Sequence, residues 1–242
     1  PQLSYSNSFT FSTLASNLKM MSSSEYADRV ASGDVTRKAN AIADALTNGK
    51  TQAEANAAGE AAKYDQGGRS YDWEKAILQS GLTSNHDLTF TKSTENSSTR
   101  FSVGASNTEG IVKNTGLDKY TISFNNTNDF FGGALKIDTK VNYANLKDKA
   151  SLISNNAGYI GNVIGAALYW NPTLPIYNAN GTYYKQSNTY INPVHLLNAY
   201  SDNASTNKLL ASIKSTLKIN DNLNYQFLFG IETSNSSRKF QL

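Results

Sequence analysis

The sequence of 242 residues contains no cysteine, only two histidines and no long apolar run. The absence of cysteine excludes disulfides, thiolate metal sites and cysteine nucleophiles. His86 and His195 stand far apart and fit no zinc-ligand spacing, so we expect both to be structural, with no metal, no cofactor and no catalytic set. No segment approaches the roughly 18 consecutive apolar residues of a transmembrane helix. The net charge of +3 is too small to predict a nucleic acid partner.

Charged residues are also scarce, at 17% of the chain, where soluble domains have about 25%. Asn, Ser and Thr fill the difference, and 14 Tyr and 10 Phe accompany them. Disordered chains are poor in aromatic residues and rich in charge, so this composition indicates a folded protein.

Apolar and polar residues alternate over seven segments of the sequence. In the first, Leu3, Tyr5 and Phe9 alternate with Ser4, Ser6 and other small polar residues. A period of two is typical of a strand with one apolar and one wet face. The predicted strands cover about 3–12, 87–91, 101–106, 120–125, 135–143, 211–219 and 223–232. Tyr120, Tyr143 and Tyr225 lie at strand ends, where strands that cross a membrane carry a girdle of aromatic residues.

The connections between these strands alternate between short and long. Short polar turns are predicted at about 93–97, 128–133 and 220–222, and long excursions at about 16–84, 108–116 and 147–206. Outer-membrane barrels have short periplasmic turns and long extracellular loops. We therefore predict an all-β fold, an antiparallel transmembrane β-barrel segment whose three long excursions are extracellular.

The first long excursion carries helix signals. Ser22 and Thr51 are each followed three residues later by Glu, which is the spacing of a capping box. Helices are predicted over 34–47, 52–63 and about 72–79. The last excursion is aromatic and rich in Asn, and its prolines predict a shaped loop.

Seven half-apolar strands need a partner for their apolar face, and lipid is the simplest one. Lipid forbids open sheet edges, because each unpaired N–H or C=O costs several kcal/mol there. Bacterial single-chain barrels also have an even number of strands. We therefore expect residues 1–242 to be an arc of one larger barrel domain and not to fold alone.

Several motifs of the sequence are similar to one known family. They are Tyr-Asp-Trp-Glu-Lys-Ala-Ile-Leu at 71–78, Ser-Asn-His-Asp-Leu-Thr at 84–89, Phe-Ser-Val-Gly-Ala-Ser at 101–106, Glu-Gly-Ile-Val-Lys-Asn at 109–114, and Asn-Pro-Thr-Leu-Pro-Ile-Tyr-Asn at 171–178 followed by Asn-Pro at 192–193. In this order the set resembles the SusC/RagA family of TonB-dependent outer-membrane transporters.

The resemblance implies a bacterial outer-membrane importer of glycans or peptides rather than an enzyme. It implies a 22-stranded barrel filled by an N-terminal plug, a SusD-like surface lipoprotein as a lid, and energy from TonB. The plug, the remaining strands and the TonB contact would all lie outside these 242 residues.

Aromatic side chains of the last excursion are the candidate ligand or lid contacts, because aromatic rings stack on sugars and grip peptide side chains. The alternative is that they pack the loop against the barrel wall or the lid. The candidates are Tyr169, Trp170, Tyr177, Tyr183 and Tyr184. Two other functions remain open: a SusC-like barrel component that does not transport, and a secreted all-β adhesin or glycan-binding module.

Overall fold

The computed structural model of the chain describes residues 1–16, 18–153, 162–186 and 191–241. The chain divides into two compact units, which we call the sheet unit and the helical unit. The sheet unit comprises Pro1–Leu14, Gln79–Ser151 and Tyr200–Leu242. The helical unit comprises Ala15–Leu78 and Leu152–Ala199.

The sheet unit is one seven-stranded antiparallel sheet in which every strand pairs with its neighbour along the chain. This confirms the predicted number and direction of strands. The strands are β1 (Gln2–Ser12), β2 (Gly81–Ser93), β3 (Ser97–Glu109), β4 (Gly116–Phe130), β5 (Leu135–Ala150), β6 (Ser201–Asn220) and β7 (Leu223–Gln241).

The register joins the apolar positions of all seven strands on one face. One continuous row of paired residues consists of Leu3, Phe90, Phe101, Phe124, Val141, Ala211 and Ile231. The opposite face is polar, and its neighbouring side chains bond across the strands. Thr89 and Ser102 hydroxyls lie 2.9 Å apart, and the Ser123 hydroxyl donates to Asn142 at 2.7 Å. The sheet therefore has one apolar face and one polar face, as the alternation predicts.

The apolar residues form a band that crosses the strands obliquely. On β1 the band runs from Leu3 to Phe11, and on β7 it runs from Leu223 to Ile231. The register places Leu3, at one edge of the band, level with Ile231 at the other edge. From β1 to β7 the band therefore shifts by the eight residues between Leu223 and Ile231. Over six steps from strand to strand, this is slightly more than one residue per strand. With about 3.3 Å per residue and about 4.8 Å between strands, this shift gives an inclination of about 40°, within the range of transmembrane barrels.

The strands are longer than the sequence predicts, and β6 and β7 have 20 and 19 residues. Their additional residues are mainly polar on both faces, and the few apolar ones, such as Leu209, Leu210 and Phe240, do not alternate with polar residues. The short turns occupy 94–96, 131–134 and 221–222, and the long connections occupy 13–80, 110–115 and 151–200. The predicted boundaries differ from these by a few residues at each end.

The helical unit contains α1 (Ser23–Thr47), α2 (Gln52–Ala61), α3 (Trp73–Ile77), α4 (Val163–Tyr169) and α5 (Pro193–Ala199). Both predicted capping boxes are present, at Ser22 with Glu25 and at Thr51 with Glu54. The Ser22 cap starts α1 eleven residues before the predicted start at 34. Among the helices in the described ranges, none has both the length and the apolar character needed to cross a membrane.

In its described residues, the region for which we predict a shaped loop contains two short helices. Asn162 caps α4 by accepting bonds from the Ile164 and Gly165 amides. Asn192 caps α5 in the same way, accepting from the amides of Val194 and His195 at 3.0 and 3.2 Å. An Asn followed by Pro at the first helical position is a helix-start signal, and at Asn192 it corrects the prediction of a loop.

A charge placed on each face of β4 tests which face contacts lipid. Phe124 lies in the middle of the apolar band, and Ser123 is its neighbour on the polar face. We expect Phe124→Arg to destabilise the folded intact receptor by about 2–4 kcal/mol. The matched control Ser123→Arg should change the free energy of unfolding by less than about 1 kcal/mol, because its charge remains in water. Denaturant titration in lipid vesicles measures both, and equal costs would contradict the assignment of faces.

Candidate functional site

The five aromatic residues singled out in the sequence fall into two clusters of the helical unit. Tyr169 ends α4 and Trp170 follows it, while Tyr177, Tyr183 and Tyr184 belong to a small hairpin closed by a bridge between Tyr177 and Tyr183. The structure therefore contains two aromatic sites rather than one.

The first cluster depends on two distant segments that hydrogen bonds join. The Tyr71 amide donates to the Pro172 carbonyl at 3.0 Å, and the Tyr64 carbonyl accepts from the Asn171 amide group at 2.5 Å. A Cβ at Gly68 would lie 2.0 Å from the Thr173 carbonyl oxygen, so only glycine permits this approach. These bonds bring together 71–78 and 171–178, two of the motifs that carry the family resemblance.

A buried carboxylate on helix α1 holds the loop that follows helix α2. Asp34 is 5% exposed and accepts from the Tyr64 and Asp65 amides at 2.8 and 2.9 Å. The Arg37 guanidinium lies 3.4 Å from the same carboxylate and 3.6 Å from the centre of the Tyr64 ring. The two amide bonds thus satisfy the buried Asp34 carboxylate, as a buried polar group requires.

Trp73 and Trp170 meet at the junction of the two segments. Their ring centres are 5.3 Å apart at an interplanar angle of 50°, and the residues are 3% and 6% exposed. Neither buried indole N–H has a hydrogen-bond partner among the described residues. An unsatisfied buried donor costs about 1–3 kcal/mol, so ring packing rather than hydrogen bonding stabilises this pair.

A cleft of about 340 Å³ opens beside the tryptophan pair. Its lining is mainly apolar and aromatic and includes Met20, Met21, Tyr26, Tyr71 and Tyr169. Burial raises the pKa of the Tyr26 hydroxyl, and the neighbouring Tyr64 and Asp34 raise it further. Tyr26 therefore remains a neutral phenol at physiological pH, and the cleft suits an apolar or ring-shaped group.

The second cluster rests on helix α5. The Tyr183 ring stacks on His195 at 4.7 Å and 8°, and its hydroxyl accepts from Asn198 at 2.9 Å. The Tyr177 ring packs on the Tyr183 ring, and the two ring centres are 5.2 Å apart. Tyr184 is fixed through its backbone amide, which donates to the Ile176 carbonyl at 3.0 Å. His195 thus supports the Tyr183 ring.

The other histidine lies in the sheet unit. His86 Nδ1 is 2.7 Å from the Tyr5 hydroxyl, and the Phe9 ring packs edge-on at 5.8 Å. In the described parts of the chain, no group of three or more His, Asp and Glu side chains could hold a metal ion. Sequence reasoning missed Trp73 and the Met20–Met21 pair as site residues, because only the contact across the two segments reveals them.

Comparisons with known proteins agree with this architecture. No protein-family model matches the chain. It is 25% identical to the TonB-dependent receptor SusC of Bacteroides thetaiotaomicron over 236 residues, 88% of this chain and 20% of SusC. It is 29% identical to TonB-dependent receptor P3 of Formosa agariphila over 72% of this chain and 18% of P3. Receptor P26 of the same organism is 36% identical over 46% of this chain and 10% of P26.

The fold matches solved structures along nearly the whole chain. A structure of the RagAB peptide transporter aligns with a TM-score of 0.73 and 14% identity, covering 98% of this chain and 28% of that one. The 'open-open' state of the RagAB peptide importer gives 0.70 and 16% identity with the same coverage. This chain is part of a SusC/RagA-type TonB-dependent receptor.

Receptors of this family are outer-membrane transporters rather than enzymes. This SusC/RagA-type segment therefore belongs to the bacterial outer membrane. It spans about a fifth of the length of the curated relatives it matches, and its seven-stranded sheet corresponds to part of the RagA sheet.

Substitutions at Trp170 test whether ring packing alone stabilises the tryptophan pair. We expect Trp170→Ala to lower the local opening free energy of α3 and α4 by about 3–5 kcal/mol. Trp170→Phe should cost less than about 1.5 kcal/mol, because the N–H that it removes has no acceptor among the described residues. The exposed Val35→Ala, in the same unit, is the control. Amide hydrogen exchange of the intact receptor measures all three, and equal costs for Phe and Ala would contradict the packing account.

Proposed function

We propose that the receptor containing this segment imports glycans or peptides across the outer membrane with energy from TonB. The observation that carries the proposal is the continuous pairing of the seven strands, which gives the sheet an apolar face for lipid and a polar face for an aqueous lumen. A wet, hydrogen-bonded inner wall is what a barrel with a transport path requires. The similarity to SusC and to the RagAB peptide transporter supports the same function.

The sheet edges support a larger closed barrel. In the described residues, β1 and β7 each pair on one side only, and an open edge in hydrocarbon costs several kcal/mol for every unpaired group. We infer that further strands of the receptor complete a 22-stranded barrel around a plug. The long connections 13–80, 110–115 and 151–200 then lie outside the cell, and the short turns face the periplasm.

We also propose that the receptor acts with a partner at the cell surface. RagAB is described as a peptide importer, and by analogy we propose a SusD-like surface lipoprotein as a lid for this receptor. The helical unit presents exposed rings on which a substrate or the lid could stack. Tyr169 is 74% exposed and Tyr177 is 49% exposed. Trp170, Tyr183 and Tyr184 are more enclosed, and we propose that they hold the Tyr169 and Tyr177 rings in place.

Uptake by cells of the native organism tests transport directly. Cells that contain the intact receptor should accumulate a labelled oligosaccharide or peptide, and deletion of the receptor gene or of TonB should reduce this uptake at least tenfold. If uptake of every tested glycan and peptide is unchanged in both deletions, the receptor is a barrel component that does not transport. The outer-membrane location gives the secreted adhesin alternative no support.

Removal of one exposed ring tests the role of the aromatic clusters. We expect Tyr177→Ala to reduce uptake about three- to tenfold, because stacking contributes about 0.5–1.5 kcal/mol beyond burial. Val35→Ala, exposed in the same unit, is the control and should leave uptake unchanged. Receptor abundance at the cell surface is measured in parallel. Normal uptake by Tyr177→Ala at normal abundance would remove Tyr177 from the binding surface.

A further inference from the structure

The apolar face of the sheet carries a basic patch beyond the end of its apolar band. Lys147 and Lys149 alternate in phase with Tyr143 on β5, and Lys239 alternates in phase with Ile231 on β7. All three lysines are exposed. The register pairs Lys149 with Asn203 of β6, which in turn pairs with Lys239. Three cations thus lie on one face, at the end of the sheet away from the short turns.

Within the described residues, the three lysines of this patch outnumber the two carboxylates at the same end of the face, Asp118 and Glu109. None of its three lysines forms an ion pair there. Asp118 of β4 lies opposite Lys147 in the register, and its carboxylate accepts a bond from Asn107. The other residues of β5–β7 on this part of the face have amide or hydroxyl side chains. They are Asn145, Asn203, Ser205, Asn207, Thr233, Asn235, Ser237 and Gln241, with Ser201 at the strand end.

The inclination of the strands gives the height of the patch above the apolar band. At about 40°, each residue advances roughly 2.5 Å along the membrane normal. Lys147 follows Tyr143 by four residues, so it lies about 10 Å above the band. Lys239 follows Ile231 by eight residues and lies about 20 Å above it. Phospholipid headgroups extend only about 5–8 Å beyond the hydrocarbon, so the patch lies above their phosphates.

We propose that the basic patch, Lys147, Lys149 and Lys239, binds the anionic core oligosaccharide of outer-leaflet lipopolysaccharide. The proposal rests on the orientation given under the proposed function, with the long connections outside. Phosphate and carboxylate groups of the core sugars bind the ammonium groups as point charges. The amide and hydroxyl side chains between the lysines bond the sugar hydroxyls. The height decides the occupant, because an oligosaccharide reaches this level and a phospholipid headgroup does not.

The test uses the intact receptor in detergent micelles, with native mass spectrometry as the binding measurement. The probes are a lipopolysaccharide with a complete core and a deep-rough form that lacks most of the core. The test variant is Lys147→Gln/Lys149→Gln/Lys239→Gln. The control, Lys136→Gln/Lys140→Gln/Lys208→Gln, removes the same charge from the polar face of β5 and β6. Heat-modified gel migration confirms that each variant has a folded barrel.

A lysine near an anionic membrane surface contributes about fivefold to binding, so we expect the test variant to bind complete-core lipopolysaccharide at least tenfold more weakly. The wild type and the control should bind it equally and prefer it over the deep-rough form. Equal binding of both forms by the wild type, or equal losses in both variants, would overturn the proposal. Complete displacement by millimolar inorganic phosphate would also overturn it. Binding in micelles requires no import, so failure here is distinguishable from failure of the transport proposal.

Discussion

A peptide group that faces hydrocarbon has no water to bond, so every N–H and C=O of a membrane-crossing strand must pair with a neighbouring strand. In this segment the pairing runs across all seven strands, and the only register shift of β6 and β7 lies beside their turn, between Lys218 and Asn220. A slip of one residue elsewhere would exchange the two faces of a strand. The position of Phe124 in the apolar band and of Ser123 on the polar face thus depends on this register, and so does the oblique course of the band.

The sequence was sufficient to predict this sheet because alternation is a local signal. The pattern that starts at Leu3 and Tyr5 needs no knowledge of distant residues, and neither does the capping box at Ser22. Strand lengths were not predictable in the same way. Where β6 continues from Lys208 back to Ser201, both faces are mainly polar and no alternation remains. The boundaries of the long connections therefore differ by a few residues from those predicted.

The aromatic clusters show the second limit of sequence reasoning. Composition identified Tyr169 and Trp170, but the partner of Trp170 is Trp73, which lies 97 positions earlier in the chain. Their meeting depends on bonds from Tyr64 and Tyr71 to the second segment and on the space that Gly68 leaves, and these contacts have no local signature. The motifs at 71–78 and 171–178 are far apart in the sequence, whereas in the structure they form one packed junction.

The central claim is that one face of the sheet contacts lipid and the other contacts water, and cysteine scanning of β4 tests it most directly. The segment contributes no native cysteine, and single cysteines at 119–125 are introduced into an intact receptor from which any other cysteine has been removed, then exposed to a membrane-impermeant maleimide. The account predicts labelling at positions 119, 121, 123 and 125 and protection at 120, 122 and 124. Labelling that is uniform along the strand, or strongest at 120, 122 and 124, would contradict it.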